Sequence, residues 1–166
     1  MIRRATPADA DSIARVHVAT WRAAYRGIVP DGYLHALSAE ARAARWRADL
    51  AGTATVTWVA VSDDGEIAGF ATRSAATAPA ELYAIYVAAP VWGQGLGRAL
   101  LEAAGAGCDG VGLWVFEENP RARRFYEAAG FRPEGSRRLG VRGGVEAAEV
   151  RYMLSPPSTS MVRPLK

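Results

Sequence analysis

Three glycines at alternate positions separate a β-like run from an alanine-rich one in "ELYAIYVAAPVWGQGLGRALLEAAG": Gly93, Gly95 and Gly97. Glycine is unfavourable inside a regular element and useful where backbone turns sharply or must come close to something. A dinucleotide loop needs G-x-G-x-x-G at the opening of a βαβ unit, but here the third glycine falls out of register and several strands precede the loop. A P-loop needs Gly-Lys-Ser/Thr, which is absent. A plain turn needs one or two glycines, not three. An anion site fits better. The amides of Gln94 to Ala99, at the start of a helix, and the Arg98 cation converge on one place.

The flanks define the architecture. Met1 to Arg4 reads as a first strand. Thr6 caps the helix that follows, Pro7 suits its first position, and Gly27 ends it. "PDGYLHALSAEARAARWRADL" reads as one or two helices with a break near Ser38. "TATVTWVAV", "EIAGFATRSA" and "AELYAIYVA" read as strands, the first two joined by the hairpin signal "DDG". A helix is expected from about Gly97 to Cys108, then the buried strand "GVGLWVF". The helix "NPRARRFYEAAG" is opened by Asn119 and Pro120 and stopped by Gly130. A closing hairpin across "RGG" completes the chain. A meander followed by alternation predicts an α+β fold around a sheet of mixed direction. Residues 1–155 read as a single domain and 156–166 as a loose tail.

Composition excludes several classes. The 166 residues suit one domain, with 50% hydrophobic and 22% charged residues. A single cysteine, Cys108, rules out an intrachain disulfide and a cysteine-rich zinc site. Two histidines are too few for a metal cluster, and no metal is expected. No apolar run reaches the ~18 residues of a membrane span. No signal peptide is legible, so the cytoplasm is the expected compartment. Net charge is +3 and almost entirely arginine. In so arginine-rich a chain that is weak evidence for nucleic acid, and a phosphorylated small molecule fits equally well.

These residues resemble the GNAT superfamily of acetyl-CoA-dependent N-acetyltransferases. The family signature is Arg or Gln, two residues, Gly, one residue, then Gly or Ala. Gly95 and Gly97 match its glycines, while its first position falls on Trp92. "ENPRARRFYEAAGFRPEG" is similar to a second family segment, with Asn119, Ala122, Tyr126, Glu127, Gly130 and Phe131 in register. The resemblance implies a three-layer fold: helices on both faces of a mixed, mostly antiparallel sheet that splays after its fourth strand.

It also implies roles. Acetyl-CoA would pair its pantetheine arm with Ile85, Tyr86 and Val87, as in strand addition. Its pyrophosphate would sit on Gln94, Gly95, Leu96, Gly97, Arg98 and Ala99. Asn119 would reach the pantetheine or the next strand. The Val87 amide would serve the oxyanion, and Tyr126 the departing thiolate. A free alkylamine has a pKa of about 10.4, so a base or a desolvating pocket is required. Glu81, at the head of the splayed strand, is the best candidate base, with Glu117 and Glu118 as alternatives. Trp21 and Tyr25 on the first helix, with Tyr83 two residues from Glu81, would wall the acceptor site or simply pack. Arg121, Arg123 and Arg124 meet the CoA 3′-phosphate or form a solvated helix face. The expected acceptor is a small-molecule primary amine, with a homodimer common in the family. A protein acetyltransferase and a non-catalytic acyl-CoA-binding module are the rival readings.

Overall fold

The structure is a computed structural model that describes residues 1–142 and 145–155. Gly143 and Gly144 of the expected closing turn, and the expected tail 156–166, lie outside the described residues.

β1 (Ile2–Arg4) leads through one 3-10 turn, Pro7–Asp9, into α1 (Ala10–Ala24). Asp9 is the reason for that entry. Its Oδ2 accepts from the Thr6 amide and hydroxyl at 2.8 and 3.1 Å, and its carboxylate grips Arg3 at 2.8 Å. α2 (Asp31–Ala36) and α3 (Ala39–Ala51) are divided at Ser38, whose Oγ accepts the Ala41 amide and caps the second. Then follow β2 (Thr55–Val61), β3 (Ile67–Ser74), β4 (Ala80–Val87), α4 (Leu96–Gly105), β5 (Val111–Phe116), α5 (Pro120–Ala128), β6 (Arg132–Arg142) and β7 (Val145–Leu154). α4 stops three residues short of the expected Cys108.

The seven strands form one sheet in the order β1-β2-β3-β4-β5-β7-β6, with only the β4–β5 pair parallel. Helices cover both faces. Leu100, Leu101 and Ala104 of α4 and Tyr126 of α5 pack with Leu82 and Leu113 on one side. Ile13 and Val16 of α1 and Trp46 of α3 pack with Val59 and Phe70 on the other. Three layers around a mixed sheet is the architecture the sequence predicted.

Two irregularities in β4 position the site. β4 pairs with β5 only over Ala80–Leu82 against Val111–Leu113, while β5 stays paired with β7 as far as Phe116. The sheet therefore opens from Tyr83 and Trp114 onward. Second, the β3–β4 register slips between Thr72 and Arg73, opposite Tyr83. The bulge absorbs one residue: Leu82 faces α4, and so do Ile85 and Val87, an odd step later.

Candidate active site

A cavity of about 540 Å³ occupies the opening between β4 and β5, with walls from both faces of the sheet. At one end stand the glycine loop, the start of α4, and Ala122, Phe125 and Tyr126 of α5. At the other stand Tyr25 at the C-terminal end of α1, Tyr83, Tyr86, Trp114, Phe116 and Glu149.

The glycines are there for geometry. Gly93 and Gly95 adopt φ of 80° and 81°, where a side chain is strained. Gly95 caps α4. A Cβ on Gly97 would lie 3.3 Å from the Phe125 ring, so its bareness lets α4 and α5 close together. The Ala99 amide donates to the Gly95 carbonyl at 3.0 Å. That amide is inside the helix, which corrects its expected place on a phosphate. Helix geometry leaves the amides of Leu96, Gly97 and Arg98 pointing out of the first turn. These three residues line the cavity; Gln94 does not. The Arg98 side chain, although at the wall, pairs with Glu102 at 2.9 Å on the exposed helix surface.

Trp92, the departure from the family motif, does two things. Its indole N–H donates to the Val87 carbonyl at 2.6 Å, tying the loop back to the end of β4. Its ring carries the Arg121 guanidinium 3.3 Å from the centroid, a cation–π contact. Arg121 lines the cavity, and burial lowers its pKa from the ordinary value. Thus a cation stands beside the loop despite the missing Arg or Gln, but it arrives from α5.

Alternation decides which β4 groups face the opening. The Ala88 amide donates to the Ala68 carbonyl at 2.8 Å, and Phe70 is opposite Tyr86. Tyr86 therefore exchanges its backbone hydrogen bonds with Phe70, while Ile85 and Val87 turn theirs to the open edge. This corrects the expectation that Tyr86 offers its backbone to pantetheine. Its side chain instead enters the far end of the cavity, its hydroxyl 3.4 Å from that of Tyr25.

Tyr126 is 8% exposed and reaches the cavity wall from α5. Burial, with a smaller contribution from the Tyr86 phenol, pushes its own phenol above the usual tyrosine range. It is a proton donor at neutral pH. Asn119 also lines the cavity; its Oδ1 accepts the Ala122 amide at 3.0 Å and caps α5. Capping thus occupies the oxygen of a side chain expected to reach the pantetheine.

Glu81 is not in the cavity. It lies where β4 is still paired with β5, opposite Gly112, and its carboxylate holds Arg151 at 2.6 Å. Gly112 makes this possible, because a Cβ there would overlap the Arg151 guanidinium. Arg151 crosses β5 over that gap. The expected base is an ion-pair partner on the closed part of the sheet. Of the expected acceptor residues, Tyr25 and Tyr83 line the cavity, and Tyr83 is 50% exposed. Trp21 does not. It is buried among His17, Tyr25, Tyr33 and Tyr86, behind the wall.

Sequence reasoning missed Glu149. It is 1% exposed, lines the cavity, and pairs with Arg138 at 2.7 Å. No local motif marks it; only its register opposite Phe116 brings it there. Among the described residues, no three or more His, Cys, Asp or Glu gather to hold a metal ion, and no helix is long and apolar enough to cross a membrane.

A splayed sheet, a glycine loop at a helix start and an open β4 edge define an acyltransferase architecture of the acyl-CoA type. The pattern of the Acetyltransferase (GNAT) family matches residues 18–131, and the chain belongs to that family. The uncharacterized N-acetyltransferase YuaI of Bacillus subtilis (strain 168) is 36% identical over 139 residues, 76% of this chain and 77% of that protein. N-alpha-acetyltransferase 40 of Saccharomyces cerevisiae is 38% identical over 90 residues, 47% of this chain but 32% of its own length. Among solved structures, the GCN5-related N-acetyltransferase from Rhodopseudomonas palustris superposes with a TM-score of 0.76 at 24% identity, covering 94% of this chain and 95% of that one. The PaiA N-acetyltransferase of Thermoplasma acidophilum, solved with coenzyme A, gives a TM-score of 0.72 at 21% identity, covering 94% and 98%. As a GNAT acetyltransferase, the protein takes its acetyl group from acetyl-CoA.

Proposed function

We propose that the protein transfers the acetyl group to a primary amine of a small molecule, by direct attack while donor and acceptor are bound together. The observation that carries this reading is the cavity itself. One continuous space joins the α4 amides to an aromatic chamber on the opposite face of the sheet. Donor and acceptor can enter from different faces and meet beside Val87.

Acetyl-CoA supplies the activated acyl carbon and a thiolate leaving group. The protein does the rest. The amides of Leu96, Gly97 and Arg98, with Arg121 beside them, receive phosphate charge. The edge groups of Ile85 offer strand-like pairing to an extended amide chain, while the Val87 carbonyl is already taken by the Trp92 indole. The Val87 N–H, directed into the opening, donates to the oxygen on which negative charge gathers. Tyr126, held neutral by burial, gives a proton or a hydrogen bond to the departing sulfur. With Glu81 paired elsewhere, the amine enters the cavity neutral, having left one proton to bulk water, and the proton its nitrogen sheds on attack replaces the one Tyr126 gives to sulfur. The apolar wall beside Val87, made by Ile85, Val87 and Phe125, disfavours the charged form of an amine nitrogen held there.

A protein N-terminus is the second acceptor class. The partial likeness to N-alpha-acetyltransferase 40 favours it, over less than half of this chain. Calorimetry with acetyl-CoA, followed by thiol release against separate amine and peptide libraries, tests both. No binding at millimolar acetyl-CoA overturns the acetyltransferase reading. Turnover of peptides alone replaces the small-molecule acceptor. Binding without turnover of any acceptor points to an acyl-CoA-binding module.

A further inference from the structure

The charged residues that line the cavity are divided between its two ends. Three charged residues line it: Arg98 and Arg121 at the α4 end, and Glu149 at the aromatic end. Cations suit the phosphates of the donor. Donor chemistry gives no reason for a carboxylate at the opposite end.

Glu149 is set back from the line of Val87 by an intervening strand. It stands on β7 opposite Phe116 of β5, and β4 lies beyond β5. Two strand spacings separate it from the line of Val87, roughly 10 Å in an unsplayed sheet. Here β4 and β5 have parted, so the separation is larger. A base must be within about 3.2 Å of the proton it takes, or one water away.

The carboxylate is also held in place. Arg138 donates to Oε2 at 2.7 Å, and its guanidinium rests 4.2 Å from the Trp114 ring centroid. Gly140 leaves the room it needs, since a Cβ there would lie 2.5 Å from the Glu149 carboxyl carbon. Arg138 is half-exposed and holds the carboxylate on its β6 side, while Glu149 itself is buried against the cavity. Tyr25, Tyr83 and Phe116 surround the same end with ring faces and edges, a setting that favours an organic cation, while the Trp114 ring already carries Arg138 and Arg151. Past Phe116 a second cavity of about 220 Å³ continues the same sign, with Glu117, Glu118 and Glu146 in its walls and Arg137 on Glu117.

We infer that the acceptor carries a second cationic group, a short chain away from the amine that is acetylated, and that Glu149 and the surrounding rings bind it. The inference rests on the proposed small-molecule acceptor and narrows it to diamine-like compounds. Glu149 is a specificity-determining residue in this scheme, not a base.

Three amines of similar length test it with the full chain and acetyl-CoA: putrescine, n-pentylamine and γ-aminobutyrate, with thiol release as the readout. Wild-type kcat/KM is expected to favour putrescine over n-pentylamine by about tenfold or more, the scale of one charge-assisted contact, with γ-aminobutyrate lowest. Glu149→Gln should raise the putrescine KM and bring it within about threefold of n-pentylamine. Its acetyl-CoA Kd by calorimetry should stay that of wild type. Equal use of the three amines by wild type, or a putrescine preference that survives Glu149→Gln, overturns the inference and leaves the small-molecule reading standing. Turnover of peptides but none of the three overturns both. Should Glu149→Gln fail to fold, the wild-type ranking alone decides.

Discussion

Trp92→Phe isolates one hydrogen bond and keeps nearly everything else. The phenyl ring still lies beneath Arg121, but the indole N–H that reaches the Val87 carbonyl at 2.6 Å is gone. The Thr20 hydroxyl also reaches that carbonyl, but at 3.4 Å, which is long. A hydrogen bond of this kind contributes about 1 kcal/mol net. In the free protein that lowers the melting temperature by about 2–4 °C for a domain of this size. The same bond holds the glycine loop against β4, the strand proposed to receive the donor, so acetyl-CoA affinity should fall by about fivefold, the equivalent of that ~1 kcal/mol. Trp92→Ala also removes the platform of Arg121, worth about another 0.5–1 kcal/mol, and should weaken binding by about tenfold or more. Calorimetric titration of both variants, with a thermal scan of each, supplies the numbers. Unchanged affinity in Trp92→Phe would mean that the loop is ordered without the indole. Tighter binding would refute the reasoning outright: the N–H would then be competing with the donor for the Val87 carbonyl rather than presenting the loop.

Tyr126→Phe should lower kcat by about 10²-fold while the acetyl-CoA Kd holds, because only the buried phenol is removed; an unaltered kcat takes Tyr126 out of the chemistry. Glu81→Gln should leave the pH–rate profile as it is and lower stability by about 1 kcal/mol through the loss of its partly buried pair with Arg151; a flattened acid limb in that variant would return Glu81 to catalysis. The Asp9 carboxyl, held by Arg3 and by the Thr6 amide and hydroxyl, has its pKa lowered from 3.8 to about 2. Its contribution to stability is therefore complete above about pH 4 and is lost as pH falls towards 2, on the order of 1 kcal/mol after screening at the exposed Arg3 end. Melting curves of wild type and Asp9→Asn should converge over that range, and a constant gap between them would count against the assignment.

What the sequence determined by itself is what depends on neighbours in the chain. The positive φ values of Gly93 and Gly95, the Asn119 and Ser38 caps and the division of α2 from α3 are local matters, decided within one or two turns. So are the order of strands and helices and the glycine-started helix at the proposed phosphate end. Tertiary structure decided the rest, because it turned on register and reach. Glu81 reads as a base until Arg151, 70 residues away, crosses the gap at Gly112 to hold it. Plain alternation puts Tyr83 and Glu81 on one face, but the bulge opposite Thr72 and Arg73 breaks the count. Trp92 in sequence is a missing phosphate ligand; in the fold it is a donor to Val87 and a seat for Arg121. Glu149 carries no motif, and its place in the cavity follows only from pairing between β5 and β7. Periodicity and capping are written along the chain, whereas which side chain meets which across a sheet is set by strand pairing and by the small residues that leave room.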